Sequence, residues 1–503
     1  MQFGFCAGTY QSQSVNADCQ RCMNWYPESI ESGMGKGAFA LYPTPGLNLF
    51  AETEAPVRGG IEINGRAFFV GGASLWEVTA AGIATNRGAV GNDGNPVSMA
   101  TNGTGGYQIG IVSAGSLYVF NTQTNTLSGP IGNIQGIPVQ LVFCDGYGIV
   151  TLANSNKFQV SSLEDLTTWN ALSVQQVEVF AENIAGIIQA FRQLWIFGLD
   201  GHTQVYYNSG ANPYTPFDVI SGAFMEEGLH ATWSVAVADN APFWLGAYIT
   251  GGPIAWRANG YTPQRISNHA VETAWATYPT QGADAIGYAY VDQGHTFYVL
   301  RFPSARGGNG ATWVYDVATQ QWHERGYWNA GTGSYWASLA GTHTFAFNQH
   351  LVGDWQSGNI YSMSIYNYQD NGEPIRRMRR APHISTEQTR IFHDFMQIDV
   401  EAGDGPIPPL LDGAGNPRGP QVMLRWSDDG ARTWSNEYWT SAGQAGEYRK
   451  RVYWNRLGQA RDRVYEMVVT DPIPWRIANA YLKARPGFDY PMPRLTKRYA
   501  GMA

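Results

Sequence analysis

Apolar and polar residues alternate in short runs along most of this chain, and most runs carry an aromatic residue. Seven of them are Leu75-Trp76-Glu77-Val78, Leu117-Tyr118-Val119-Phe120, Lys157-Phe158-Gln159-Val160, Gln204-Val205-Tyr206-Tyr207, Pro253-Ile254-Ala255-Trp256, Trp313-Val314-Tyr315-Asp316 and Asn359-Ile360-Tyr361-Ser362. A period of two puts successive side chains on opposite faces of a strand, and aromatic and β-branched residues fit that pleated surface. Trp76, Tyr118, Gln159, Tyr206, Ala255, Val314 and Tyr361 mark these runs, at steps of 42, 41, 47, 49, 59 and 47. A further strand precedes several markers and often closes on glycine, as in Phe68-Phe69-Val70-Gly71-Gly72, Trp195-Ile196-Phe197-Gly198 and Phe243-Trp244-Leu245-Gly246. A polar turn and another strand follow, as in Asp316 to Trp322.

A repeat of about 40–50 residues, each carrying several short strands, is the sequence signature of a β-propeller. One blade cannot bury both of its faces alone, whereas blades stacked around an axis bury them against each other. Seven markers predict about seven blades, and the propeller is assigned to residues 57–370. The competing reading is a series of unrelated hairpins from two β-sandwiches. A period held over six intervals argues against it.

The flanks read differently. Residues 1–56 are polar and irregular at first, then pass through Tyr42-Pro43-Thr44-Pro45-Gly46-Leu47. Proline and glycine at that density disfavour regular structure. An extended arm is expected, tied to its own fold or to a neighbour through Trp25, Tyr26 and Phe39. Residues 371–485 carry strand-like segments at 394–401, 421–427, 448–454, 463–470 and 475–484, which predicts a separate C-terminal β-sandwich. Residues 486–503 read as a C-terminal tail. The fold class is therefore all-β.

Composition agrees, with 59 Gly, 28 Tyr, 22 Phe and 18 Trp against only 14% charged residues. The formal net charge is −8 and the pI is near 5.6, which argues against a dedicated nucleic-acid binder with a basic face. No run approaches the ~18 apolar residues that span a bilayer, and the N-terminus lacks the basic and apolar segments of a signal peptide, so no membrane span is expected. Cys19-x-x-Cys22 with Cys6 invites a zinc reading, but a fourth ligand at suitable spacing is missing. All four cysteines, Cys144 included, are expected to be reduced thiols, with no metal and no cofactor.

Candidate chemistry is sparse. Ser427-Asp428-Asp429-Gly430-Ala431-Arg432-Thr433-Trp434 resembles the Asp-box turn of sialidases and many propellers, with Ala431 where the motif prefers glycine. Its Asp side chain caps the turn's own amides, a structural role. A sialidase would also need clustered arginines and a Tyr nucleophile with an acidic partner. No phosphate-binding loop, zinc-protease motif or serine-nucleophile elbow is present. The one concentrated basic run, Arg376-Arg377-Met378-Arg379-Arg380, suits either a subunit interface or contact with DNA phosphates, with the interface favoured in so acidic a protein. Trp25, Tyr26, Arg376, Arg377, Arg379 and Arg380 are thus the candidate interface or DNA-facing residues, and no catalytic residue is assigned.

Three regions carry a family resemblance. The first holds Asn16-Ala17-Asp18, Asn24-Trp25-Tyr26-Pro27-Glu28, Pro43-Thr44-Pro45-Gly46-Leu47 and Arg58-Gly59-Gly60. The second is Glu227-Gly228-Leu229-His230-Ala231-Thr232. The third holds Ser427-Asp428-Asp429-Gly430 and Tyr448 through Arg461. In order and spacing these motifs resemble the packaged-DNA stabilisation proteins, or tail hub (nozzle) proteins, of short-tailed bacteriophages (podoviruses). The resemblance implies a non-enzymatic virion protein, assembled in the host cytoplasm and located in the phage tail. It implies a homohexamer below the portal and its adaptor (head completion) protein. That ring would extend the DNA channel with non-specific contact to double-stranded DNA, help retain packaged DNA until ejection, and anchor a tail needle or fibre and tailspikes. The competing reading is a sialidase-like or carbohydrate-binding β-propeller, which requires convergent Arg, Tyr and Glu side chains in the axial cleft.

Overall fold

The computed structural model describes residues 3–487 except 33, 104, 179–180, 248–250 and 407–408. The seven sequence markers all fall on third strands of propeller blades. Trp76 lies on Ser74–Val78, Tyr118 on Ser116–Asn121, Gln159 on Lys157–Ser162, Tyr206 on Thr203–Asn208, Ala255 on Pro253–Asn259, Val314 on Ala311–Asp316 and Tyr361 on Asn359–Ser364. Blades one to five are antiparallel four-stranded sheets covering residues 57–89, 98–128, 138–176, 184–225 and 236–265. Blade six covers 286–325. Second strands are buried almost throughout, as in Gln193–Gly198, and so are some third strands, as in Ala311–Asp316, because neighbouring blades cover them on both faces.

Tight hairpins join the strands where the sequence permits left-handed backbone. Asn64-Gly65, Asp145-Gly146 and Gln293-Gly294 each place two consecutive residues at positive φ, the geometry whose twist matches a right-handed strand pair. The one α-helix among the described residues, His269–Ala276, links blades five and six. Asn268 caps it by accepting from the Ala270 and Val271 amides, and Trp275 is buried in the core between the two blades.

Blade seven is built from both ends of the propeller. Its first three strands are Ala340–Ala346, Gln349–Asp354 and Asn359–Ser364, and its outermost strand is Gly46–Glu52, paired antiparallel with Met363 opposite Leu47. This joint closes the ring and removes the sheet edge that an open array would expose. Gly46 is required there, since a Cβ would lie 2.5 Å from the carbonyl oxygens of Asn367 and Gln369.

The remaining strands form a β-sandwich. One sheet orders Trp25–Ser29, Phe39–Pro43, Ile477–Pro486, Ile391–Val400 and Val452–Asn455. The other orders Cys19–Met23, Arg377–Arg380, Asp462–Val469, Gln421–Ser427 and Tyr438–Ser441, and it runs on into blade six through the parallel contact of Met23 with Glu324. Trp25, Leu41, Met396, Leu424, Tyr465, Trp475 and Leu482 fill the core between the sheets. Residues 1–56 thus do not make a unit of their own. They supply four strands to the sandwich sheets, the short Tyr10–Gln11 beside Cys19–Met23 among them, and the closing strand of the propeller. Of the expected tail, residues 488–503 lie outside the described residues.

Candidate functional site

Trp25 and Tyr26 are consecutive on one strand, so their side chains leave on opposite faces. Trp25 is fully buried in the sandwich core, and its indole N–H donates to the Trp475 carbonyl at 2.8 Å. Tyr26 enters the propeller core instead, edge-on to Phe297 at 5.4 Å and packed with Leu47, Val299 and Tyr361. A single strand therefore stitches the two domains together. The sequence pattern selected the right aromatics, but both are spent inside this chain rather than on a neighbour or on DNA.

Polar contacts flank that stitch. Asn24 sits at positive φ, which asparagine tolerates, and its side chain accepts from the Gly326 amide and donates to the carbonyls of Gly326 and Arg376. Arg21 makes a two-pronged ion pair with Glu324 at 2.6 and 2.7 Å, and Arg306 reaches the same carboxylate at 2.6 Å. Glu28 lies 2.6 Å from His295 Nε2, while Asp316 lies 2.8 Å from Nδ1. Burial alone would lower the His295 pKa, but its two carboxylate neighbours outweigh it and hold the imidazole up at about 9. His295 is the second residue of a hairpin pair, Asp292 opposite His295, and hairpin geometry alone gives no sign of this clasp.

The basic run is not the open positive patch its composition implies. It forms the strand Arg377–Arg380, wedged between Cys19–Met23 and Asp462–Val469. Arg379 is fully buried and donates to the carbonyls of Gly4, Phe5, Gly8 and Arg21 and to the Gln20 side chain. It therefore anchors the first residues of the chain. Arg380 pairs with Glu466 at 2.9 Å, and Arg425 pairs with the same carboxylate. Arg376 lies over the Trp328 ring at 4.4 Å. Arg377 is fully buried without a hydrogen-bond partner among the described residues. Burial draws its pKa down to about 10 and pushes that of nearby Asp370 up to about 7. The assignment of Arg377 and Arg379 as interface or DNA-facing residues is corrected accordingly, as are those of Trp25 and Tyr26. A strand flanked on both sides must bury alternate side chains whatever their charge.

The Asp-box turn is structural. The Asp429 carboxylate accepts from the Arg432 and Thr433 amides and from the hydroxyls of Ser427 and Thr433, which hold it well below the usual carboxylate range. Arg380 and Arg425 lie over the ring of Trp434 at 5.0 and 4.7 Å, so the turn clamps the end of the basic strand. Cys6 and Cys22 pack in the sandwich, where burial pushes both thiols up to about 12.

One of the remaining concave features lies on the propeller axis. Loops entering and leaving the inner strands enclose a pocket of about 720 Å³ whose lining includes Asp93, Asn95, Trp233, Asp284, Arg301 and Trp355. Its described lining contains neither tyrosine nor glutamate, so the side-chain set a sialidase needs is not gathered there. Pattern reading passed over Arg301, although a lone arginine inside Tyr298-Val299-Leu300-Arg301-Phe302 is a signal of its own.

Comparison with curated protein sequences gives no match. Among solved structures, the N-terminal domain of Nup159 overlaps 68% of this chain and 98% of its own, at 9% identity and a TM-score of 0.42. The computationally designed Ika8 protein overlaps 63% of this chain and 99% of its own, at 11% identity and a TM-score of 0.36. Both overlaps are loose. Family models are decisive. The model described as bacteriophage P22 Gp10, beta-propeller, matches residues 1–366, and that described as bacteriophage P22 Gp10, beta-sandwich, matches residues 376–485. With both domains matched in order, the chain belongs to the bacteriophage P22 Gp10 family of phage structural proteins.

Proposed function

We propose that this protein is the tail hub, or nozzle, subunit of a short-tailed phage. Six copies would form a ring that extends the DNA channel below the portal and its adaptor, helps retain packaged DNA, and carries a needle or fibre and tailspikes. Family membership across both domains is the observation that carries this reading. The stitched architecture supports it in kind, because a part that withstands the pressure of packaged DNA must not hinge between its domains. One contact surface repeated around a closing rotation builds such a ring from identical subunits. Aromatics left in solvent offer material for that contact. Tyr438, Trp439 and Tyr453 are 45%, 56% and 44% exposed on neighbouring sandwich strands. No helix among the described residues is long and apolar enough to cross a membrane.

The test is the mass of the purified protein alone and with a phage portal–adaptor complex, by native mass spectrometry with negative-stain imaging. Rings of six, free or seated on the adaptor, are the expected result. A monomer that ignores the adaptor would overturn the proposal.

A further inference from the structure

Two arginines line the propeller axis, and they are treated differently. Arg58 spends its guanidinium on the chain itself, donating to the carbonyls of Gly72, Gly91 and Asn95 and to the Ser113 hydroxyl. Arg301 makes no hydrogen bond or ion pair among the described residues. It is 8% exposed, and its Nε is buried with no partner. What holds it is Trp355, whose ring lies 4.9 Å from the guanidinium carbon and is itself fixed by an indole hydrogen bond to the Ser338 carbonyl at 2.9 Å. Stacking occupies one face of the guanidinium and leaves its donor edge free. Thr342, whose buried hydroxyl also has no partner, lines with Arg301 and Trp355 a smaller cavity of about 50 Å³ beside the main pocket.

A desolvated cation that its own chain supports only at a distance, through Asp284 and Asp354, and leaves without a hydrogen-bonded counterion is costly unless an anion completes it. We propose that the axial pocket is a binding site for a small organic carboxylate, anchored by the donor edge of Arg301. The pocket's volume falls in the range that encloses small molecules, and a planar guanidinium edge matches a carboxylate with two parallel hydrogen bonds. Its other charges favour a monoanion over phosphate. Asp93 lies 3.6 Å from Arg58 and accepts from the Asn95 amide, while Asp284 accepts from the Thr280 hydroxyl and the Ser304 amide. Both carboxylates are held in place in the pocket lining, and they oppose a dianion more strongly than a single negative charge. Trp233 supplies an aromatic wall for the body of the ligand. Burial brings the Arg301 pKa down to about 10, so it still carries its charge at neutral pH.

Calorimetric titration of the full-length protein with glucuronate, acetate, inorganic phosphate and uncharged glucose tests the site. Glucuronate is expected to bind at least about tenfold more tightly than glucose or phosphate, the discrimination of a charge-assisted hydrogen-bond pair. Arg301→Gln should remove that preference while the melting transition is retained. Equal binding of glucose, failure of every carboxylate to bind, or unchanged binding by Arg301→Gln would each overturn the proposal. Should that variant not fold, a structure of the wild-type protein soaked with glucuronate decides the matter. A carboxylate on the Arg301 guanidinium supports the site, and a carboxylate elsewhere or none refutes it.

Discussion

The clasp of His295 between Glu28 and Asp316 makes stability depend on pH in a definite direction. Folding raises this histidine from its ordinary 6.5 to about 9, since the two carboxylates outweigh its burial. The folded chain then binds the proton more tightly than the unfolded chain. Its contribution is complete below about pH 6.5 and is lost as the pH rises through about 9. A rise of that size corresponds to about 3 kcal/mol, at 1.36 kcal/mol for each pH unit. The side chain is only 7% exposed and Asp316 is fully buried, whereas Glu28 is 28% exposed, so solvent screening trims chiefly the Glu28 share. Because Glu28 belongs to the stitching strand, the loss should first free that strand. Urea denaturation at intervals from pH 6 to 10, with limited proteolysis of residues 1–45 in parallel, reads both effects. His295→Gln should be less stable at pH 6 and should flatten the dependence between pH 6.5 and 9. A wild-type curve that is flat or rising across that window, or a variant curve parallel to it, would refute the reasoning.

Trp25→Ala should cost about 3–5 kcal/mol, the usual toll for a fully buried tryptophan, and should leave the Trp475 carbonyl unpaired. Trp25→Phe should recover most of that loss, as judged by the urea midpoint. Within the basic strand, Arg379→Met should destabilise by more than about 3 kcal/mol, because five acceptors, two of them buried, lose their donor. Arg377→Met should stay within about 1 kcal/mol of the parent, because its guanidinium makes no hydrogen bond, an apolar replacement spares its desolvation, and nearby Asp370 is already pushed up toward its neutral form; thermal unfolding of the two variants side by side separates them. Gly46→Ala forces a Cβ against two carbonyls and should cost about 1–3 kcal/mol by overpacking. Hydrogen exchange should then quicken first in the paired strand Asn359–Ser364.

The architecture was legible in the sequence because strand alternation and blade repeat are local properties. Each marker residue sits on a third strand because every blade must present the same apolar stripe to its neighbours. The sandwich segments were visible for the same reason, with Gln421–Ser427 landing on its expected bounds. Composition and charge argued against a basic nucleic-acid-binding face, and the ordered motifs pointed to the phage family that both domains match. What no local pattern encodes is which distant partner a strand or charge will meet. Residues 1–56 read as an arm because their partners lie hundreds of positions away, Glu324 for Arg21 and Trp475 for Trp25. The arginines of 376–380 read as a surface patch because a sequence shows charge but not cover, and only strands flanking both edges turned Arg377 and Arg379 inward. Conversely, Arg301 lies hidden in an apolar run until the propeller closes and leaves its guanidinium unpaired on the axis. Secondary structure follows from short-range periodicity and was fixed by the chain alone, whereas burial and pairing of charge are set by contacts distant in sequence and were decided only when both ends of the chain met in one fold.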